Sequence, residues 1–364
     1  MSVESLFKPV TIKNLTLKNR FVLAPMSRYQ NDGGIPNRDF AEYHRQRASA
    51  DLGLTITGAT AIDRVPANNH PKLANINEAA RQGWQKTVDA VHEAGGPIVL
   101  QLWHAGTLHN VDPEFKPGPL ESPSGLEKPG KMVGKPMTEE AIADCIDSFV
   151  SATVLANEIG FDAVEVHAAH GFLLDQFFWE GTNQRTDHWG GKSLVKRSRF
   201  ALEVVKAVKK VVDPQTPLFM RISQWKEQDY SVRLVNSPAE MEAWLTPFVD
   251  AGVDVMDCSQ RRFWEPEFEG STLNLAGWAK KVTGLPVITA GSVGLSTDVM
   301  SFFHGETAQR TSLDELVRRY EAGEFDLVAV GRALLADAHW ITKIRDGREG
   351  EMEALKPEEM LSWI

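Results

Sequence analysis

The sequence predicts a closed (β/α)8 barrel, a TIM barrel. Two observations carry that expectation. Short apolar runs rich in β-branched residues recur eight times along the chain, and continuous runs of this kind suit strands buried on both faces of a parallel sheet. Helical stretches stand between them, and strands alternating with helices eight times close into a barrel.

In chain order the runs are Phe21–Met26, Leu54–Ile62, Pro97–His104, Asp162–Ala169, Leu218–Ser223, Asp254–Ser259, Pro286–Ser292 and Leu327–Leu334. Before the first, Thr11-Ile12 and Thr16-Leu17 flank Lys13-Asn14, the pattern of a hairpin cap able to close the barrel bottom. The clearest helix is Thr138–Ile159, with Thr138 as N-cap, apolar residues at about 3.6 spacing and Gly160 as its stop. Arg197–Val212 ends before Asp213-Pro214, and Pro238–Ala251 ends at Gly252.

A standard barrel takes about 250 residues, and this chain has 364. The surplus falls in the hairpin and in two long loops, Leu108–Lys135 after strand three and Gln260–Ser271 after strand six. Loops that follow strands lie on the catalytic face, where they shape a pocket or serve as a lid. No linker composition or low-complexity segment divides the chain, so residues 1–364 are read as one domain.

Composition removes several function classes. Hydrophobic residues at 42% and charged residues at 24% exclude disordered and fibrous chains. A net charge of −10 without a Lys/Arg cluster argues against nucleic-acid binding. Cys145 and Cys258 cannot build a disulfide framework, an iron–sulfur site or a Cys-rich zinc site, and they fit a reducing compartment. No apolar run approaches the ~20 residues of a membrane span. Met1–Val10 lacks the cationic start and apolar core of a signal peptide. A cytoplasmic protein, monomer or homodimer, is expected.

Barrel chemistry collects at the C-terminal strand ends. Those ends read Ser27, Ala59, Gln101, His167, Arg221, Ser259, Gly291 and Gly331-Arg332. Gln101 brings two donors and an acceptor without charge. Arg221 is a cation inside an apolar run, and a buried Arg costs several kcal/mol unless an anion meets it. That anion is either a ligand or a core carboxylate such as Glu165. Gly291, Ser292, Gly331 and Arg332 follow strands seven and eight, where barrels bind phosphate through uncovered backbone N–H groups, and Arg332 adds a fork-shaped cation. A ligand with a phosphate at one side and an electron-rich, amide-like face at Gln101 and Arg221 describes flavin mononucleotide. A cation near its N1/O2 edge stabilises the anionic reduced ring. Without a G-x-G-x-x-G turn, FMN is preferred over FAD.

His167 ends strand four and His170 opens its loop. Two imidazoles three residues apart converge on one acceptor oxygen. Zinc needs a third protein ligand that the sequence does not offer here, so no metal is expected.

At these residues the chain resembles the old yellow enzyme family of FMN-dependent NAD(P)H ene-reductases, from Leu6 to Thr342. The resemblance rests on Leu23-Ala24-Pro25-Met26-Ser27-Arg28, Gly58-Ala59-Thr60, Gln101 through Gly106, Glu165 through Gln176, Asn183 through Gly191, Phe219-Met220-Arg221, and Val330 through Leu334. It implies that Pro25, Met26, Ser27 and Ala59 line the flavin ring, and that Gln101 and Arg221 meet its pyrimidine edge. It implies that Gly291, Ser292, Gly331 and Arg332 hold the phosphate. His167 and His170 then bind the carbonyl or nitro oxygen of a small electrophilic alkene, and Tyr29, Trp103 and Phe172 border the substrate. The implied cycle is ping-pong, from NADPH or NADH to the flavin and then to the alkene β-carbon.

Two departures carry consequences. The family usually has a Tyr two residues after the histidine pair, as proton donor to Cα; here that residue is Phe172. Losing a general acid costs about 10² to 10⁴ in that step, unless Tyr29 or water donates, or the acceptor is a nitro group or nitrate ester that needs no Cα proton. Leu355–Ile364 has no Arg of the kind that some members insert into a neighbouring subunit. Two other classes compete: a phosphate-binding barrel lyase or isomerase without flavin, and a flavoprotein without useful turnover.

Overall fold

The computed structural model describes residues 2–108, 112, 114, 115 and 117–352. Leu355–Ile364, the segment without the intersubunit Arg, lies outside them, as do residues 109–111, 113 and 116 of the loop after strand three.

Eight parallel strands form the barrel: β1 (Phe21–Leu23), β2 (Leu54–Ile56), β3 (Ile98–Trp103), β4 (Ala163–His170), β5 (Leu218–Lys226), β6 (Val255–Ser259), β7 (Val287–Ala290) and β8 (Leu327–Val330). Each pairs with the next, and β8 pairs with β1, which closes the ring. All eight apolar runs hold strands, with changed ends. The second run breaks after Ile56 and resumes as Thr60–Ile62. A side chain at Gly58 would come within 2.5 Å of the Met26 carbonyl, so backbone packs directly on backbone there. The eighth run stops at Val330, because Gly331 begins a short helix, Arg332–Ala336. The fifth runs three residues beyond Ser223.

The helix Glu139–Ile159 has its Thr138 side chain accepting from the Ala141 N–H, and Gly160 ends it at φ 98°. The two shorter helix expectations also hold, as Arg199–Val211 and Pro238–Asp250. Strands Val10–Ile12 and Leu15–Leu17 make the expected hairpin across a two-residue turn. Its buried Ile12, Leu15 and Leu17 join Val22, Ile56, Val99, Phe219 and Leu327 in one apolar plug inside the barrel. A second, larger core fills the space between the outer strand faces and the helices. Among the described residues no helix is long and apolar enough to cross a membrane.

Strand side chains alternate faces, and inward residues of a barrel stack in layers. Above the apolar plug, Gln101 on β3 faces Glu165 on β4, Arg221 on β5 faces Asp257 on β6, and Arg221 stands level with His167. Two residues further on stand Trp103, His167, Ser223 and Ser259. The barrel thus rises from an apolar floor through a polar layer to the chemistry-bearing ends.

Candidate active site

A cavity of about 280 Å3 opens at the strand ends. Pro25, Met26, His170, Arg221, Gly291, Ser292, Gly331 and Arg332 line it, so β1, β4, β5, β7 and β8 bring these expected site residues together. Ser27, Ala59, Gln101, His167, Tyr29, Trp103 and Phe172 are not on its wall. They stand behind or beside it.

Five ring contacts string the upper site together. Trp103 meets Phe172 edge-on at 5.0 Å, Phe172 meets His167 at 5.3 Å, and His167 meets His170 at 5.1 Å. His170 then stacks on Trp225 at 4.3 Å, and Trp225 on Tyr230 at 4.9 Å. His170 has φ 63°, in a left-handed conformation uncommon without glycine. Its N–H donates to Ser223 Oγ at 2.9 Å, and its Nε2 lies 2.8 Å from Ser259 Oγ. The following loop is clamped from below. The Gly171 N–H donates to Asp175, which pairs at 2.8 Å with the fully buried Lys226. The side-chain amides of Gln176 and Gln228 both donate to the Gly171 carbonyl.

Both histidines are neutral near pH 7. Burial and then the Arg221 charge push the His167 pKa down to about 3. Burial, His167, Arg221 and Lys226 push His170 well below the ordinary value. His167 Nδ1 accepts from the Ala169 N–H, which leaves its proton on Nε2 as a donor.

The polar layer corrects one expectation. The partner of Arg221 in the protein is Asp257, directly opposite on β6, and not Glu165. Glu165 instead accepts from Gln101 Nε2 at 2.7 Å. Burial and the Asp257 charge raise Glu165 far above the carboxylate range, while Asp257 is the carboxylate that pairs with Arg221.

The other end of the cavity suits an anion. Arg332 is buried, and its described hydrogen bonds run to neutral oxygens of Thr297, Asp298 and Ser292. Burial lowers its pKa to about 10. The Asp298 carboxylate is engaged by Arg261 and Arg262 at 2.8 and 2.6 Å. Gly291 has φ 131°, and a side chain there would come within 2.4 Å of the Gln260 carbonyl. A phosphate would meet the need of Arg332 for an anion, and Pro25, Met26 and Arg221 on the same wall would meet a flavin ring. The residues present therefore fit FMN.

Sequence reading missed Trp225, Glu227, Tyr230 and Arg261, all on the cavity wall. The Arg261-Arg262 pair in the loop after strand six was the available signal for Arg261. A separate cluster, His104, Glu121 and Cys145, brings ligand-type atoms within 4.8 Å of one another. Arg64 already holds Glu121 through two hydrogen bonds, so the cluster reads as an ion-paired core.

The profile of the NADH:flavin oxidoreductase / NADH oxidase family matches residues 5–351. An NADPH dehydrogenase of Bacillus cytotoxicus is 33% identical over 341 residues, 92% of this chain and 90% of the relative. An NADH oxidase of Thermoanaerobacter brockii is 31% identical over 361 residues, covering 96% of this chain and 52% of that longer protein. A solved structure of morphinone reductase in complex with tetrahydroNAD matches with a TM-score of 0.80 at 26% identity, covering 98% of this chain and 94% of that one.

Proposed function

The chain belongs to the NADH:flavin oxidoreductase / NADH oxidase family and is an NAD(P)H-dependent FMN oxidoreductase of the old yellow enzyme type; from that premise we propose that its acceptors are activated alkenes. These are α,β-unsaturated carbonyl compounds, with nitro compounds and nitrate esters as acceptors that need no Cα proton. The carrying observation is the pair of neutral imidazoles, His167 and His170, 5.1 Å apart beside the cavity.

When bound, FMN supplies hydride transfer from NAD(P)H to the acceptor. Arg332, Gly331, Gly291 and Ser292 would hold its phosphate, Arg221 and Gln101 its pyrimidine edge, and Pro25, Met26, Ser27 and Ala59 its ring. Residues 1–364 would act as one domain in this role. The N–H donors of His167 and His170 would bind the substrate oxygen and draw electron density from the alkene, leaving Cβ electrophilic. Donors aimed at developing charge in a water-poor site contribute several kcal/mol. Neutral imidazoles suit this role, because they stabilise the oxyanion without protonating it in the ground state. Trp225, stacked on His170, would hold that ring at its bulged backbone position. Trp103 and Phe172 would border the substrate on the His167 side.

The test is anaerobic. Enzyme reduced with NADPH is mixed with a maleimide or 2-cyclohexenone, and saturated product is measured against reoxidised flavin. Equal amounts of the two support alkene reduction, and His167→Ala and His170→Ala should then slow it by about 10² to 10³. Flavin that stays reduced with both alkenes would sink the proposal.

A further inference from the structure

Phe172 has no proton to give, yet reduction of an unactivated enone needs one at Cα. Among the described residues the cavity wall holds one carboxyl, Glu227. Its backbone N–H donates to the His170 carbonyl at 3.0 Å, which fixes the base of its side chain next to the histidine pair. The residue lines the cavity and keeps exposed surface, and among the described residues no hydrogen bond or ion pair engages its carboxyl. Two neighbouring cations have other partners: Lys226 is paired with Asp175 and Arg261 with Asp298, each at 2.8 Å. Tyr29 and Tyr230 both feel the Glu227 charge, so they lie on its sides.

We propose that Glu227 is the proton donor to Cα, in place of the phenol that position 172 lacks. This rests on the alkene-reduction reading above. Hydride originating from NAD(P)H forms the new C–H bond at Cβ. The π electrons move onto Cα and the oxygen held by His167 and His170. The Glu227 O–H bond then breaks as the Cα–H bond forms, and the carboxylate left behind takes a proton from water at the cavity mouth. The ledger closes with one hydride and one proton added across the double bond.

The surroundings keep this carboxyl acidic in the useful range. Although the residue keeps exposed surface, loss of solvent around its carboxyl raises its pKa to about 7, where an acid serves best at neutral pH. The titratable and charged groups around the site are Tyr29, His170, Tyr230, Arg221, Arg261 and Lys226. Burial raises Tyr29 to about 12 and raises Tyr230 further, and His170 stays neutral. Among the acids on this side of the cavity, Glu227 is therefore the one placed to change charge near neutral pH.

The test compares FMN-loaded wild type with Glu227→Gln, Glu227→Asp and Tyr29→Phe. Infrared titration, which needs no turnover, should show a protonated-carboxyl band with a midpoint near pH 7 that Glu227→Gln removes. In anaerobic oxidation by 2-cyclohexenone, Glu227→Gln should lose about 10²-fold or more, and Glu227→Asp should recover part of it. The loss should be much smaller with a maleimide, whose stabilised anion takes a proton from water. The wild-type enone rate should fall above pH 7 and the Glu227→Gln rate should not. An enone rate within threefold of wild type in Glu227→Gln overturns the proposal alone, as does a loss confined to Tyr29→Phe. A wild type whose flavin passes electrons to neither alkene overturns the alkene-reduction reading and the proposal together.

Discussion

Phe172 stands edge-on to His167, with ring centroids 5.3 Å apart and the ring planes at 90°. A tyrosine at this position would bring a phenol to the ring cluster that holds His167. With Glu227 as the acid, Phe172→Tyr in the wild type should change enone turnover by less than about tenfold. In the Glu227→Gln background the same change should restore most of the lost rate, since either acid suffices. Steady-state turnover of 2-cyclohexenone by the single and double variants checks this. A Phe172→Tyr variant that speeds the wild type about 10²-fold would show instead that the native enzyme lacks an acid.

Arg332 lends its charge to the far end of the cavity. Charge-assisted hydrogen bonds to a phosphate contribute about 1.5–3 kcal/mol, so Arg332→Ala should weaken FMN binding by roughly 10- to 150-fold. Fluorescence titration of the apo-protein with FMN measures this directly. Riboflavin, which has no phosphate, should bind the variant and the wild type equally. A riboflavin loss as large as the FMN loss would place Arg332 outside the phosphate site.

Lys226 and Asp175 form a fully buried pair beneath the Gly171 loop, 2.8 Å apart. Removing one partner strands a charge in the core and costs about 3–5 kcal/mol. Asp175→Ala should therefore lower the unfolding free energy by that amount in urea. Adding Lys226→Met should recover most of it, because a well-packed apolar pair replaces an ion pair at little net cost. A double variant no more stable than Asp175→Ala would contradict the stranded-charge explanation.

Glu121 gives a pH signature. Burial alone would raise its pKa, but hydrogen bonds from His104 and Arg64 outweigh burial and hold it at about 2. A carboxylate depressed in the folded state stabilises fully above its unfolded value and loses that contribution as pH falls toward 2. Against an unfolded value of 4.5, the contribution is about 3 kcal/mol at neutral pH. Glu121→Gln should lose about this much at pH 7, and its gap from wild type should shrink steadily between pH 5 and 2. A gap independent of pH would refute the linkage.

The barrel was legible because strands buried on both faces leave unbroken apolar runs, as at Leu218–Ser223 and Asp254–Ser259. The break at Thr57–Ala59 was not, since it depends on Gly58 packing against the backbone of Met26, which follows β1. Arg221 was recognisable as a cation needing an anion. Its partner Asp257 was missed, because nothing within the run Asp254–Ser259 marks it as the residue that faces Arg221 across neighbouring strands. Trp225 and Glu227 were missed because β5 runs past Ser223 to Lys226. That extension carries the chain over the cavity, where an apolar run no longer marks it. The histidine pair was visible in the sequence, but its neutrality depends on burial and on Arg221, which three-dimensional packing supplies.

The most direct measurement is the visible spectrum of the FMN-loaded protein under anaerobic NADPH, followed by one equivalent of a maleimide. Expected is a flavin band that bleaches with NADPH and returns with the alkene, with one saturated imide formed per flavin. A colourless protein that FMN cannot reconstitute, or a bleached band that the alkene leaves unchanged, would contradict it.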